Sequence, residues 1–473
     1  MTDWRAEVDQ RKDAFLSDLE TMLKVPSVRD DSQATEDAPL GPGPKAGLDA
    51  FLAIAKRDGF RVKNIDNVVG YVEVGDPDAD ETLAVLAHVD VMPAGNGWET
   101  DPFTPTIKDD GFLYARGASD DKGPGMAAYY GLKIVSELGL PLKRKVRFIV
   151  GTDEESDWTG MTRYFEVEPA PTLGFSPDAE FPIINGEKGN ITLTTTFAGE
   201  QDSSAVNTLV RFESGERDNM VPAEADAVVN STDADTLVAA FEAYVAAQPV
   251  EGTASVEADG VHLHVDGKAS HGAWPENGIN AGTYLGAFLA TQPFSGSALN
   301  FVSFIMDDVH DDTVVTHLDL AIADDVMGAL SMNIGIMKYA DDKGDVTLNF
   351  RYPKNTTAEA ITEGVTAAAT AHHGSTVAGR AMVPHYVSAD DPLVKTLLNV
   401  YHEQTGLPAK EEVVGGGTYG RLMKRGVAFG AMFPGAPDTM HQPNECIPVE
   451  DLYRSAAIYA QGIAELAAET DAD

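Results

Sequence analysis

Residues 82–95 read TLAVLAHVDVMPAG. Residues 82–89 form a short, largely apolar run whose polar members are Thr82 and His88, which suits a strand buried on both faces. Asp90 follows two residues after His88, and the two-residue period of an extended chain turns both side chains to the same side. The pattern recurs. Residues 145–150 (KVRFIV) are a second such run, followed directly by GTDEES with Asp153, Glu154 and Glu155. Residues 172–175 are a shorter third, followed by Asp178 in SPDAEFP. A helical pattern over 126–138 lies between the first two runs, just after GASDDKGPG with Asp120 and Asp121. Buried strands alternating with helices predict a doubly wound α/β layer. Ligand sites in such sheets lie beyond the carboxyl ends of the strands.

Outward from this core, the first twenty residues read as a helix, 29–45 as a long loop and 45–58 as a second helix ending near Gly59. Asp109–Asp110–Gly111, between alternating apolar residues, signals a hairpin within 103–115. After about residue 190 the texture changes: ITLTTTFAG, SVEADGVHLHVDG and GDVTLNFRYP alternate on a two-residue period. Helical stretches over 234–247 and 281–290 intervene, as in an inserted α+β domain. Residues 219–230 and 332–349 resemble each other loosely, each leading from an Asn through a turn into a strand. From about 390 the first texture returns. The expected division is 1–189 with 390–473 as one domain and 190–389 as an insert.

Composition narrows the function. The chain has 473 residues, 75 acidic and 34 basic, for a formal charge of −41. That excess repels nucleic acid and anionic membranes. No apolar run approaches the roughly 20 residues of a membrane span, and the charged N-terminus does not resemble a signal peptide. Cys446 is the single cysteine, so a reducing cytoplasm is expected.

Taken singly, His88–Val89–Asp90 is an ordinary strand end, Asp120 a helix cap and Asp178 a turn former after Pro177. Their coincidence at successive strand ends argues for one site. Crowded carboxylates need compensating positive charge. Imidazole among them favours zinc, with manganese or cobalt as substitutes, and His441 in DTMHQPNE is a further candidate donor.

The set HVDVMPAG, GASDDKGPG, GTDEES, SPDAEFP and MHQPNE resembles the zinc aminoacylase, carboxypeptidase G and dipeptidase superfamily, and within it the bacterial dipeptidase V branch. The resemblance runs almost end to end, taking in DNMVPAEA, GKASHGAWPENGINA and LNFRYP. It implies a doubly wound, mixed-sheet α/β catalytic domain with an inserted α+β lid, and two zinc ions. His88 and Asp178 would bind one ion, Glu155 and His441 the other, with Asp120 bridging. Glu154 would be the general base and Asp90 would orient His88. Asn219, His271 and Arg351 would reach over the substrate. Each of these positions matches the family pattern. Arg351 offers a guanidinium fork for a substrate carboxylate, and the amides of Gly416, Gly417 and Thr418 offer another cradle.

The expected reaction is hydrolysis of an unmodified dipeptide by a metal-bound water. N-acyl-amino-acid deacylation uses the same chemistry and remains open. A non-catalytic scaffold would most simply have lost Glu154, which is present. The histidines and the acidic surface disfavour a phosphohydrolase. Relatives often borrow a histidine from a dimer partner; the large insert here predicts a monomer that supplies its own.

Overall fold

A computed structural model describes residues 2–471. The chain divides into two compact units: Met1–Gly186 with Tyr386–Glu412 and Gly417–Asp473, and Glu187–His385 with Val413–Gly416.

The first unit is built on a mixed sheet. Its strands Arg61–Ile65, Val69–Val74, Lys145–Gly151, Thr82–His88, Leu173–Ser176, Gly426–Ala428 and Ile183–Glu187 lie side by side in that order. We label Thr82–His88 β1, Phe112–Tyr114 β2, Lys122–Glu137 α1, Lys145–Gly151 β3, Leu173–Ser176 β4, Cys446–Pro448 β5 and Val449–Ala468 α2. β1 runs parallel to β3 and β4, and Gly426–Ala428 is parallel to β4. Pairs at the flanks are antiparallel. Every residue of β1 is buried, as its continuous apolar run requires. In register, His88 lies opposite Gly151, so Asp90 and the 152–155 segment leave the sheet at the same level. Phe148, Phe175, Tyr129 and Tyr459 belong to the core between sheet and helices.

The predicted hairpin is present, as Thr106–Ile107 against β2. Beyond the expectation, the late strand β5 adds to its other side, with Cys446 opposite Tyr114. α1 begins at Lys122, four residues before the apolar periodicity becomes legible, because its first turn is Lys–Gly–Pro–Gly. Proline is tolerated in a first turn, whose amides lack helical partners anyway. The second helix likewise starts earlier than expected, at Pro42. The opening helix is two, Trp4–Asp9 and Lys12–Leu23, separated where Arg11 leaves helical geometry at φ −118°.

The second unit carries an eight-stranded antiparallel sheet in the order Glu251–Glu257, Gly260–Asp266, Glu224–Ser231, Asn207–Ser214, Ser331–Ala340, Lys343–Tyr352, Gly189–Ala198 and Ser375–Ala378. Gly189–Ala198 alternates buried and half-buried residues, as its TLTTT pattern predicts. Phe197, Phe212, Phe241, Phe288 and Phe301 fill the core on the helical face. Residues 332–349 make up most of one hairpin, whereas 219–230 hold a short strand and one arm of another. The hairpins that correspond are Asn207–Ser214 with Glu224–Ser231 and Ser331–Ala340 with Lys343–Tyr352, each followed by a helix. Among the described residues no helix is long and apolar enough to cross a membrane.

Candidate active site

Strand ends and loops of the first unit bring His88, Asp90, Asp120, Glu154, Glu155, Asp178 and His441 together. His88 closes β1 with its ring buried, Nε2 3.1 Å from Asp120 Oδ1 and 3.7 Å from Asp178 Oδ2. Its Nδ1 faces the Asp90 carbonyl at 3.1 Å and Asp90 Oδ1 at 3.3 Å. The other Asp90 oxygen accepts from the Glu155 amide at 3.2 Å, so one carboxylate ties β1 to the segment after β3. His441 Nε2 lies 2.9 Å from Asp120 Oδ2 and 3.0 Å from Glu155. Asp120 thus divides its two oxygens between two imidazoles. Two triplets of donor atoms result, His88–Asp120–Asp178 and Asp120–Glu155–His441, the atoms in each lying within 4.8 Å of one another.

The electrostatics show a cluster short of positive charge. Burial, then the charges of Asp178, Glu155 and Asp120, push Glu154 well above the carboxylate range. Burial and Asp120 push Glu155 up to about 7 and raise Asp178 as well. Burial opposes protonation of His88, yet Asp90, Asp120 and Asp178 raise it well above an ordinary imidazole. Hydrogen bonds to Asp120 and Glu155 push His441 up to about 10. Acids that hold protons and imidazoles that gather them are competing for missing charge, which a dication would supply. The mixed nitrogen and oxygen donors fit such an ion.

In the second unit, Met220–Val221 pairs with Ser270–His271, and the Gly272 amide donates to the Asn219 carbonyl at 2.7 Å. Asn219 and His271 are therefore neighbours. Arg351, at the end of Lys343–Tyr352, donates to the Gly415 carbonyl at 2.8 Å, and Gly415 also lies against Ala273. The predicted loop spans the division of the chain: Gly416 belongs to the second unit, Gly417 and Thr418 to the first. Thr418 Oγ1 accepts from the Gly420 amide, a capping role that its position before a helical turn explains.

The sequence pattern of Peptidase family M20/M25/M40 matches residues 84–465. The chain belongs to that family. Members are metallopeptidases, so this protein is one, and a divalent cation is the group its two triplets would hold. The chain is similar to "Putative dipeptidase YtjP" of Bacillus subtilis (strain 168), 42% identical over 98% of this chain and 99% of its own length. "Putative dipeptidase SH1171" of Staphylococcus haemolyticus (strain JCSC1435) is 41% identical over 98% of this chain and all of its own. Among solved structures, Vibrio alginolyticus aminoacylhistidine dipeptidase shares the family fold with a TM-score of 0.59 at 14% identity, covering 96% of this chain and 97% of its own. Human carnosine dipeptidase 1 does so at 0.58 and 16%, covering 98% of each chain.

Sequence reasoning missed Arg116 and Glu445, which form a buried ion pair beside Asp120 of the two donor triplets, Nη1 to Oε2 2.7 Å. The available signal was a lone arginine inside the otherwise small and apolar run LYARGAS, where a buried cation requires a partner.

Proposed function

We propose that this protein is a dipeptidase acting on unmodified dipeptides. End-to-end identity of 42% to a protein named as a dipeptidase carries the reading, and the divided Asp120 carboxylate supports a dinuclear centre. In this reading His88 and Asp178 would hold one ion and Glu155 and His441 the other, with Asp120 available to both; zinc suits the mixed imidazole and carboxylate set. Two bound ions would supply Lewis acidity and lower the pKa of a water from 15.7 toward ~7. Asp90 keeps the His88 ring oriented through Nδ1. Glu154 takes a proton from the attacking water and returns it to the departing amine. Asn219 and His271 would contact the substrate, and either Arg351 or the Gly416–Thr418 amides would hold its carboxylate. The single cysteine supports a cytoplasmic location, and a chain carrying all these groups supports a monomer, to be checked by light scattering.

The deciding experiment compares Ala-containing dipeptides with N-acetyl and N-succinyl amino acids on the zinc-loaded protein. Turnover of dipeptides is expected. Strong turnover of the acylated compounds with none of dipeptides would replace this reading by the deacylase one.

A further inference from the structure

Glu445 is fully buried, and a buried carboxylate is tolerable only where donors replace its water. It has four. Oε1 accepts from the amides of Ser119 at 2.8 Å and Asp120 at 3.1 Å, the Gly117 amide reaches both oxygens at 3.1 Å, and Arg116 Nη1 lies 2.7 Å from Oε2. Gly117 at φ +88° makes the turn that points these amides inward. The same Arg116 extends Nη2 to the carbonyls of Pro93 and His441, each at 3.3 Å. One ion pair thus grips the backbone of Asp120 on one side and of His441 on the other.

We propose that Glu445 is a positioning residue, which through Arg116 and the 117–120 amides fixes Asp120 and His441 against each other. Being buried, it touches neither substrate nor reacting atoms. The proposal rests on the reading of Asp120 and His441 as metal ligands. Two donors carried by segments more than three hundred residues apart share an ion only if their backbones are held at a fixed separation. Hydrogen bonds behind ligands commonly change metal affinity by ~10- to 100-fold.

The test is a cobalt(II) titration followed by absorbance, with metal content measured directly, on the wild-type protein and Glu445→Gln, Arg116→Lys and His441→Ala. The glutamine keeps the shape of Glu445 but presents an NH2 to donors. Lysine keeps a cation beside Glu445 and loses the fork that reaches His441. Both variants are expected to retain one tight equivalent, to bind the second at least ~10-fold more weakly, and to recover kcat at saturating metal with KM unchanged. Wild-type affinity for both equivalents in either variant that folds overturns the proposal. His441→Ala separates the two ideas. If it still binds two tight equivalents, the ligand reading fails; if it loses one while Glu445→Gln and Arg116→Lys keep both, only the positioning role fails.

Discussion

Asp120 stands between two imidazoles with one oxygen for each, and what surrounds it separates the jobs of two adjacent glutamates. Glu155 meets His441. Glu154 is absent from both donor triplets, and its backbone carbonyl is held by Trp158 Nε1 at 2.7 Å. Glu154→Gln should therefore lower kcat at least ~100-fold, the usual worth of a general base, while metal content stays at the wild-type level. Metal analysis beside steady-state kinetics checks this; metal lost along with activity would make Glu154 a ligand instead. Of the residue-level chemistry, much was legible because strand-end placement is a strong geometric constraint. His88, Asp90, Glu155 and Asp178 could be gathered from their positions after apolar runs. Glu445 could not, since its role depends on backbone amides, which carry no mark in the sequence.

At the scale of elements, the start of α1 is the most constrained point. A Cβ on Gly123 would sit 2.0 Å from the Ala118 carbonyl oxygen. Alanine ordinarily favours a helix over glycine by ~1 kcal/mol, but here it must push apart the loop that carries Asp120. Overpacking of this kind costs ~1–3 kcal/mol, so Gly123→Ala should lower stability in urea and weaken metal binding together. A second prediction concerns the junction of helices Pro42–Arg57 and α1. Burial would raise Asp58, but hydrogen bonds from Lys133, Tyr129 and Arg57 outweigh it and leave the carboxyl below its ordinary value. A carboxyl depressed in the folded state stabilises above its unfolded pKa of ~3.9, and the contribution disappears as pH falls through the folded value. Asp58→Asn should melt below the wild type at neutral pH, and the two should converge in acid; a gap independent of pH would refute the linkage. The β5–β2 pairing was invisible beforehand because a three-residue strand has no periodicity to read. The helix starts were misplaced because Gly and Pro in a first turn read as loop.

The whole molecule carries −41 formal charges. Self-repulsion on that scale opposes compactness, and raising ionic strength from about 0.01 M to 1 M shortens its range from ~30 Å to ~3 Å. The melting temperature should rise with sodium chloride over that interval, measured on metal-loaded protein at constant pH. A flat or falling response would mean that local ion pairs outweigh the net charge. The change of texture near residue 190 lies close to the boundary between Gly186 and Glu187. How the alternating strands order themselves was not legible, since strand order in an antiparallel sheet depends on long-range pairing rather than local pattern.

The three residues of β5 also set when the protein can begin to work. The hairpin with β2, Asp120 and Glu155 all lie in the first third of the chain, whereas His441 reaches them only with the segment anchored by Cys446–Pro448. During synthesis the ribosome must release nearly the whole polypeptide before that anchor exists. A nascent or prematurely terminated chain therefore carries Asp120 and Glu155 without His441. If His441 is a ligand, as proposed, activity is thereby tied to completed translation.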